Sequence, residues 1–400
     1  MTTELERRLI ERIKRDGPIT FRDFMNSALY DPELGYYNTE RLKIGAEGDY
    51  YTSSNVHPAF GGVLAEAFSN LWAGRSEPLT LVEMGAGTGQ LAYDVLRAIS
   101  DVYPALFERL TYVIVETSSA MLKRQQDKLS GFADRIKWSE LNELESNTFK
   151  GIVFSNELVD AMPVQRVRYK QDVVEVLYVT TSSEAMYGRP SVAAPHSHTT
   201  LGEKGAAGDR HSCKGNEKVE RLAFQWAEPS DNSLLEYMNR MQTELSEGQI
   251  LEINLDAIDW LAHIARALES GFLITIDYGD LVEHLWSPDR REGTLRSFHR
   301  HRLVDWPLDR IGEQDLTASV NFTALIEYGR DFGLETVSYE RQTAFLTRMG
   351  LIERIAGRYG PTESLEDLRE RLAMKNLFVP AGISDSFRVL IQRKRQQNGN

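Results

Sequence analysis

The stretch that most limits what this chain can fold into is Leu79-Thr80-Leu81-Val82-Glu83-Met84, running directly into Gly85-Ala86-Gly87-Thr88-Gly89. A short apolar run that ends in closely spaced glycines, followed by helical patterning to Ile99, predicts a strand, a tight turn and a helix. Three further apolar runs repeat the theme: 110–116 (LTYVIVE), 151–157 (GIVFSNE) and 272–277 (FLITID), the last preceded by a predicted helix over 256–269. Near-continuous apolar strands alternating with helices predict a parallel sheet covered on both faces. Helix 322–332 and strands 334–340 and 386–393 read as the closing elements of that sheet.

Ahead of this frame, Leu5, Leu9, Ile10 and Ile13 fall at helical spacing and predict an amphipathic helix over 4–15. Thr20 is placed to cap a second helix over 21–29. The Gly- and Tyr-rich stretch 30–51 reads as ordered loop, because tyrosine is costly to leave exposed. Residues 58–72 return to helix. Further on, Val167, Val173, Val174, Val176, Tyr178 and Val179 alternate, predicting a β-hairpin over 165–179. Residues 181–220 are rich in Ser, Gly, Ala, Thr and His, and read as a flexible insertion.

Composition narrows the function classes. Of the 400 residues 42% are hydrophobic, enough for a large core, so one elaborated domain or one plus a cap is expected. A net charge of −13 disfavours broad binding to nucleic acid. The single cysteine, Cys213, excludes an internal disulfide framework and a Cys-based zinc cluster. His196, His198, His211 and Cys213 show no rigid ligand spacing, so no metal site is assigned. No apolar run approaches the roughly 20 residues of a membrane span. The N-terminus, MTTELERRLIERIKRDGP, has no apolar h-region and carries Glu among its Arg, so a cytoplasmic location is expected.

The chemistry concentrates at the ends of the predicted strands. Glycines at 85, 87 and 89 let the backbone turn tightly and approach a ligand with no Cβ in the way, and the helix that follows aims its first amides at that ligand. Dinucleotides prefer G-x-G-x-x-G. Here the spacing is G-x-G-x-G with Glu83 two residues before it, which suits S-adenosyl-L-methionine, a cofactor with cationic groups and no pyrophosphate. A purely structural glycine turn is the bland alternative. Glu116, at the end of the second strand, can accept both ribose hydroxyls of an adenosyl group, although a nicotinamide enzyme would also place an acid there. The segment Ser155-Asn156-Glu157-Leu158-Val159-Asp160-Ala161-Met162-Pro163 leaves the third run with an amide and two carboxylates that packing does not need. Asn156 either caps a helix or, with Glu157 and Asp160, orients a methyl acceptor. Asp277-Tyr278-Gly279 closes another strand at the same edge. The basic run His299, Arg300, His301 and Arg302 reads as a solvated loop rather than a site.

In this order the motifs resemble those of the MidA-like family of S-adenosylmethionine-dependent methyltransferases, whose mitochondrial members act in assembly of respiratory complex I. The resemblance spans nearly the whole chain. It rests on Gly17-Pro18-Ile19-Thr20-Phe21, Tyr30-Asp31-Pro32-Glu33-Leu34-Gly35-Tyr36-Tyr37, Gly48-Asp49-Tyr50-Tyr51-Thr52-Ser53, Glu83 to Gly89 and Ser155 to Pro163. Asp277 to Gly279, Gly293-Thr294-Leu295-Arg296, Gln314-Asp315-Leu316-Thr317 and Asn321-Phe322-Thr323 add to it. It implies an α/β fold: a seven-stranded, Rossmann-like class I methyltransferase sheet with an N-terminal helical cap (1–75). The methyltransferase domain then covers 76–394, with an insertion over about 165–245. The cofactor is expected against Glu83, Gly85, Gly87, Gly89, Glu116 and Asn156. Ser54, Asn55 and Asn254 depart from the family pattern, which bears on the acceptor more than on the cofactor.

The resemblance further implies a protein acceptor, an arginine, with a respiratory complex I subunit as one candidate partner and a homodimer as one candidate assembly. An arginine acceptor is always protonated, so a carboxylate must hold and polarise its guanidinium. Glu157 is the first choice for that role, with Asn156 beside it and Asp160 as the alternative. The rival readings are methylation of a small molecule or another side chain, and a cofactor-binding assembly scaffold without turnover.

Overall fold

The computed structural model describes residues 3–39, 58–146, 148–171, 173–183, 220–230, 232–300, 302–304, 306–352 and 386–396. The motif at 48–53, Ser54, Asn55, residues 184–219 of the segment read as flexible and all four residues of the His/Cys set lie outside them.

Among the described residues the main sheet has eight strands, seven of them four residues or longer: β1 (Leu79–Met84), β2 (Leu110–Val115), β3 (Ile136–Ser139), β4 (Phe149–Asn156), β5 (Leu268–Asp280), β6 (Leu334–Arg341) and β7 (Phe387–Lys394). Their order is β3-β2-β1-β4-β5-β7-β6, and the two-residue strand Val320–Asn321 pairs with the end of β5. β1 to β5 pair in parallel. β7 is antiparallel to both β5 and β6, so the sheet is mixed rather than parallel throughout. Antiparallel neighbours need no crossover helix, and hydrophobic patterning does not encode strand direction.

Side chains of a strand alternate between faces. In β1, Leu79 and Leu81 join one core with Tyr112, Phe154 and Ile274, under helix Gln90–Val102 and helix Ala59–Leu71. Val82 and Met84 join the opposite core with Val113, Val153, Leu261 and Leu325, under helix Leu255–Ala267. Glu83 therefore points toward the first core, which fixes its environment below.

A second, antiparallel sheet holds the predicted hairpin as Gln165–Lys170 and Val173–Ser182, together with Ile19–Thr20, Arg221–Ala227 and Ile250–Ile253. Helices Glu4–Asp16 and Phe21–Tyr30 cover it, burying Leu5, Leu9, Phe21 and Phe24 against Leu177, Val179 and Leu222. Thr20 caps the second helix by accepting from the Asp23 amide at 3.1 Å. Among the described residues of the first 75, the first two helices pack on the second sheet and helix Ala59–Leu71 on the main sheet. Strand β3 and helix Leu141–Ser146 had no clear sequence signal, because β3 is only four residues long and half polar.

The Gly293-Thr294 motif serves the fold. The Thr294 amide and Oγ1 donate to Glu252 Oε2 at 2.6 and 2.9 Å, and Arg166 Nε donates to Glu252 Oε1 at 3.0 Å. The basic run sits at the tip of a hairpin: His299 ends strand Arg296–His299, Arg300 lies in the exposed turn, and Arg302 opens the paired strand Arg302–Val304 of a third small sheet. Alternation over so few residues is too short to read as strand.

Candidate active site

β2 lies on one side of β1 and β4 on the other, so the strand order reverses there. In open α/β sheets, the crevice beyond such a reversal is where ligands bind. A cleft of about 260 Å³ occupies that position, walled by the turns that follow β1, β2 and β4.

The turn after β1 is glycine-rich because its backbone demands it. Gly85, Gly87 and Gly89 have φ of 70°, 53° and 79°, in the left-handed region that costs other residues about 1–2 kcal/mol. A Cβ on Gly85 would come within 2.8 Å of Leu158 Cδ1, across the cleft floor. Gly85 and Gly87 line the cleft. Gly89 does not; it starts helix Gln90–Val102 and packs on Gln125.

Glu116 follows β2 and faces the cleft. Its Oε1 accepts from the amides of Thr117 and Ser118 at 2.9 and 2.8 Å, and its Oε2 accepts from Gln125 Nε2 at 2.9 Å. Burial raises its pKa, opposed by these hydrogen bonds. Gln125 is wholly buried; Trp138 Nε1 donates to its Oε1 at 3.1 Å, and its own Nε2 also donates to the Gly87 carbonyl. A buried glutamine has no period or motif to flag it, and the sequence reading missed it.

Asn156 and Glu157 leave β4 side by side at the cleft, with Asn156 Nδ2 donating to Glu157 Oε1 at 3.2 Å. Glu157 has φ 54°, the left-handed region again, now for a residue with a Cβ. Asp160 is buried and does not line the cleft. Burial pushes its pKa up to about 6, while a hydrogen bond with Tyr278 opposes the rise. Asn254 caps helix Leu255–Ala267, accepting from the Ala257 amide at 2.8 Å, and its Nδ2 donates to the Val159 carbonyl.

Glu83 also reaches the cleft but is 3% exposed. Its Oε2 accepts from Tyr112 O–H at 2.6 Å, and burial raises its pKa to about 7. Tyr30 and Tyr37 close the cleft from the N-terminal segment. Their rings stack with centroids 5.5 Å apart; Tyr30 O–H donates to the Ala161 carbonyl, and Tyr37 O–H to Asp315 Oδ1, both at 3.0 Å. The motifs at 30–37 and 314–317, far apart in the chain, meet in that last bond.

Two buried polar atoms on the cleft wall have no hydrogen-bond partner among the described residues: Asn156 Oδ1 and Trp260 Nε1. Buried polar groups are normally satisfied, so one acceptor and one donor stand ready for a polar ligand. Among the described residues, no group of three His, Cys, Asp or Glu side chains could hold a metal ion, and no helix is long and apolar enough to cross a membrane.

Residues 63–340 match a family model described as S-adenosyl-L-methionine-dependent methyltransferase. The chain belongs to this family. It superposes on a Burkholderia thailandensis protein bound to S-adenosyl-homocysteine with a TM-score of 0.80 and 25% identity, over 99% of this chain and 92% of that one. It is also similar to two mitochondrial proteins named protein arginine methyltransferase NDUFAF7. The Mus musculus protein is 26% identical over 88% of this chain and 76% of its own length; the Homo sapiens protein is 27% identical over 88% and 75%. The fold is that of a methyltransferase, and S-adenosyl-L-methionine is the cofactor. The cytoplasmic location expected from the N-terminus is overturned, because these curated relatives are mitochondrial proteins. A cellular address is read by receptors, so the composition that governs folding does not determine it.

Proposed function

We propose that this methyltransferase modifies the guanidinium of an arginine on an acceptor protein, at the cleft beyond β1 and β4. The observation that carries this reading is Glu157, a carboxylate held in left-handed backbone at the cleft beside Asn156. The relatives named as protein arginine methyltransferases support the same acceptor class.

In this reading Glu116 accepts the ribose hydroxyls with the lone pairs that Thr117, Ser118 and Gln125 leave free. Gly85 and Gly87 let the backbone approach the ligand, and the unpaired Asn156 Oδ1 and Trp260 Nε1 complete its polar shell. Glu83, held by Tyr112 at the end of β1, and Gly89, on Gln125, support the loop. S-adenosyl-L-methionine supplies the electrophilic methyl group. Glu157 would accept hydrogen bonds from the protonated guanidinium and turn one nitrogen toward that methyl, so alignment does most of the work. As the N–CH3 bond forms and the S–CH3 bond breaks, S-adenosyl-homocysteine would leave and one N–H proton would pass to the carboxylate or solvent. Tyr30 and Tyr37 exclude water. Asp160 lies beneath the cleft and is assigned no contact with the acceptor. A subunit of respiratory complex I is the first acceptor to test.

The test uses tritiated-methyl cofactor and a lysate, with product read as methylarginine. Glu157→Gln keeps shape and removes charge. Turnover should fall at least about a hundredfold, the effect of a charged hydrogen bond of about 3 kcal/mol, while cofactor affinity stays within about twofold because Glu116 and the glycine loop are untouched. Full turnover in the variant removes Glu157 from the reaction, and product on another side chain or a metabolite replaces the arginine reading.

A further inference from the structure

Glu157 occupies a backbone conformation that a residue with a Cβ avoids, and something must hold it there. Its amide donates to the Ile276 carbonyl of β5 at 2.9 Å. The next three amides, of Leu158, Val159 and Asp160, converge on one atom, Asp277 Oδ2, at 3.2, 2.9 and 3.4 Å. Asp277 Oδ1 accepts from the Tyr278 amide at 2.9 Å. Asp277 is wholly buried and does not line the cleft, so it has no direct access to an acceptor.

Successive amides converging on an anion form a concave anion site, and charge-assisted bonds of this kind are the strong ones. Here the accepting oxygen is part of the protein itself, on the Asp277 carboxyl. Two adjacent residues of β5 therefore clamp the chain on both sides of Glu157: Ile276 before it, and Asp277 after it. Released from the clamp, the turn would relax toward negative φ, and the Glu157 side chain would swing away from its place beside Asn156.

We propose that Asp277 is a positioning residue for Glu157: it gathers the three amides that follow and so keeps the left-handed turn that presents the Glu157 carboxylate to the cleft. The role rests on the reading of Glu157 as the group that holds the acceptor. Asp277 is buried beside Asp160 and Glu157, and that burial, followed by the repulsion from both carboxylates, raises its pKa. The Val159 and Asp160 amides oppose the rise, which makes the clamp the reason a carboxyl is tolerated there.

The test compares wild type, Asp277→Asn, Glu157→Gln and the double variant. Asp277→Asn should lower kcat at least about tenfold and leave the KM for S-adenosyl-L-methionine within about twofold, because the cofactor contacts lie on other strands. If Asp277 acts through Glu157, the double variant is no slower than Glu157→Gln alone. Multiplied losses in the double variant, or a parallel loss of cofactor affinity and melting temperature, mean that Asp277 only supports the fold and overturn the proposal.

Amide hydrogen exchange tests the clamp without turnover. The amides of Leu158, Val159 and Asp160 should exchange at least about tenfold faster in Asp277→Asn, with Val153 and Phe154 of β4 unchanged. Unchanged protection at 158–160 overturns the proposal. Should Asp277→Asn fail to fold, wild type decides: protection of these three turn amides matching that of β4 supports the clamp, and exchange at loop rates overturns it. A wild-type protein that transfers no methyl group to arginine overturns the reading of Glu157, and the exchange result separates that outcome from failure of the clamp.

Discussion

Gln125 ties Glu116 to the glycine loop: a single amide group, Nε2, donates at 2.9 Å both to Glu116 Oε2 and to the Gly87 carbonyl. The carboxylate after β2 and the turn after β1 are thereby set at a fixed separation by a residue that does not itself line the cleft. Gln125→Ala should weaken S-adenosyl-homocysteine binding by about 1–3 kcal/mol, the cost of leaving buried partners unsatisfied. Calorimetric titration checks this, and Glu116→Ala in the same background tests the coupling. Independent losses in the double variant would show that Gln125 does not act through Glu116.

Gly87→Val should abolish detectable cofactor binding in a protein that still folds. Its φ of 53° disfavours any Cβ, and a branched one most of all. Thermal shift with S-adenosyl-homocysteine, against NAD as control, reads the result. An undiminished shift in the variant would remove this loop from the cofactor site.

Glu157→Gly should separate stability from activity. Glycine adopts left-handed φ without steric cost, so the variant should be as stable as wild type or more stable by up to about 1 kcal/mol, while methyl transfer is lost. Chemical denaturation and the tritium assay on one preparation measure both. A clear loss of stability would mean that the carboxylate serves the fold.

Glu83 should leave a signature in pH dependence. Burial lifts its pKa to about 7, above the ordinary carboxylate value of 4.5. The folded protein therefore binds this proton more tightly than the unfolded chain, and stability falls as pH rises from about 4.5 through 7. Glu83→Gln should flatten that part of the profile and raise the melting temperature relative to wild type above pH 7. An unaltered slope would assign the effect to other carboxyls whose pKa values burial raises: Asp160, Asp277, Glu116, Asp94 and Glu6.

Much of the frame was legible because it follows local rules. Helical spacing at Leu5, Leu9, Ile10 and Ile13 predicts a helix over 4–15, and one runs Glu4–Asp16. The apolar runs mark β1, β2, β4 and β5, and closely spaced glycines mark a turn that three positive φ values require. Strand direction was not legible at β7, since apolar patterning is the same whichever way a strand runs.

Local patterning marks the residues able to carry chemistry: Glu83, the glycines, Glu116, Asn156, Glu157 and Asp160 stand at or just beyond strand ends, where packing does not call for them. Which of these share a cleft follows from how the chain packs. Glu157 and Asp160 are three residues apart, yet one faces the cleft and the other lies buried under it, because a left-handed turn intervenes and Asp277, 117 positions beyond Asp160, gathers its amides. Gln125 and Trp260 read as ordinary helix residues until the sheet brings their elements to its carboxyl edge. Periodicity reports the faces of an element; the meeting of distant polar atoms depends on register and burial across the whole sheet, which no local window contains.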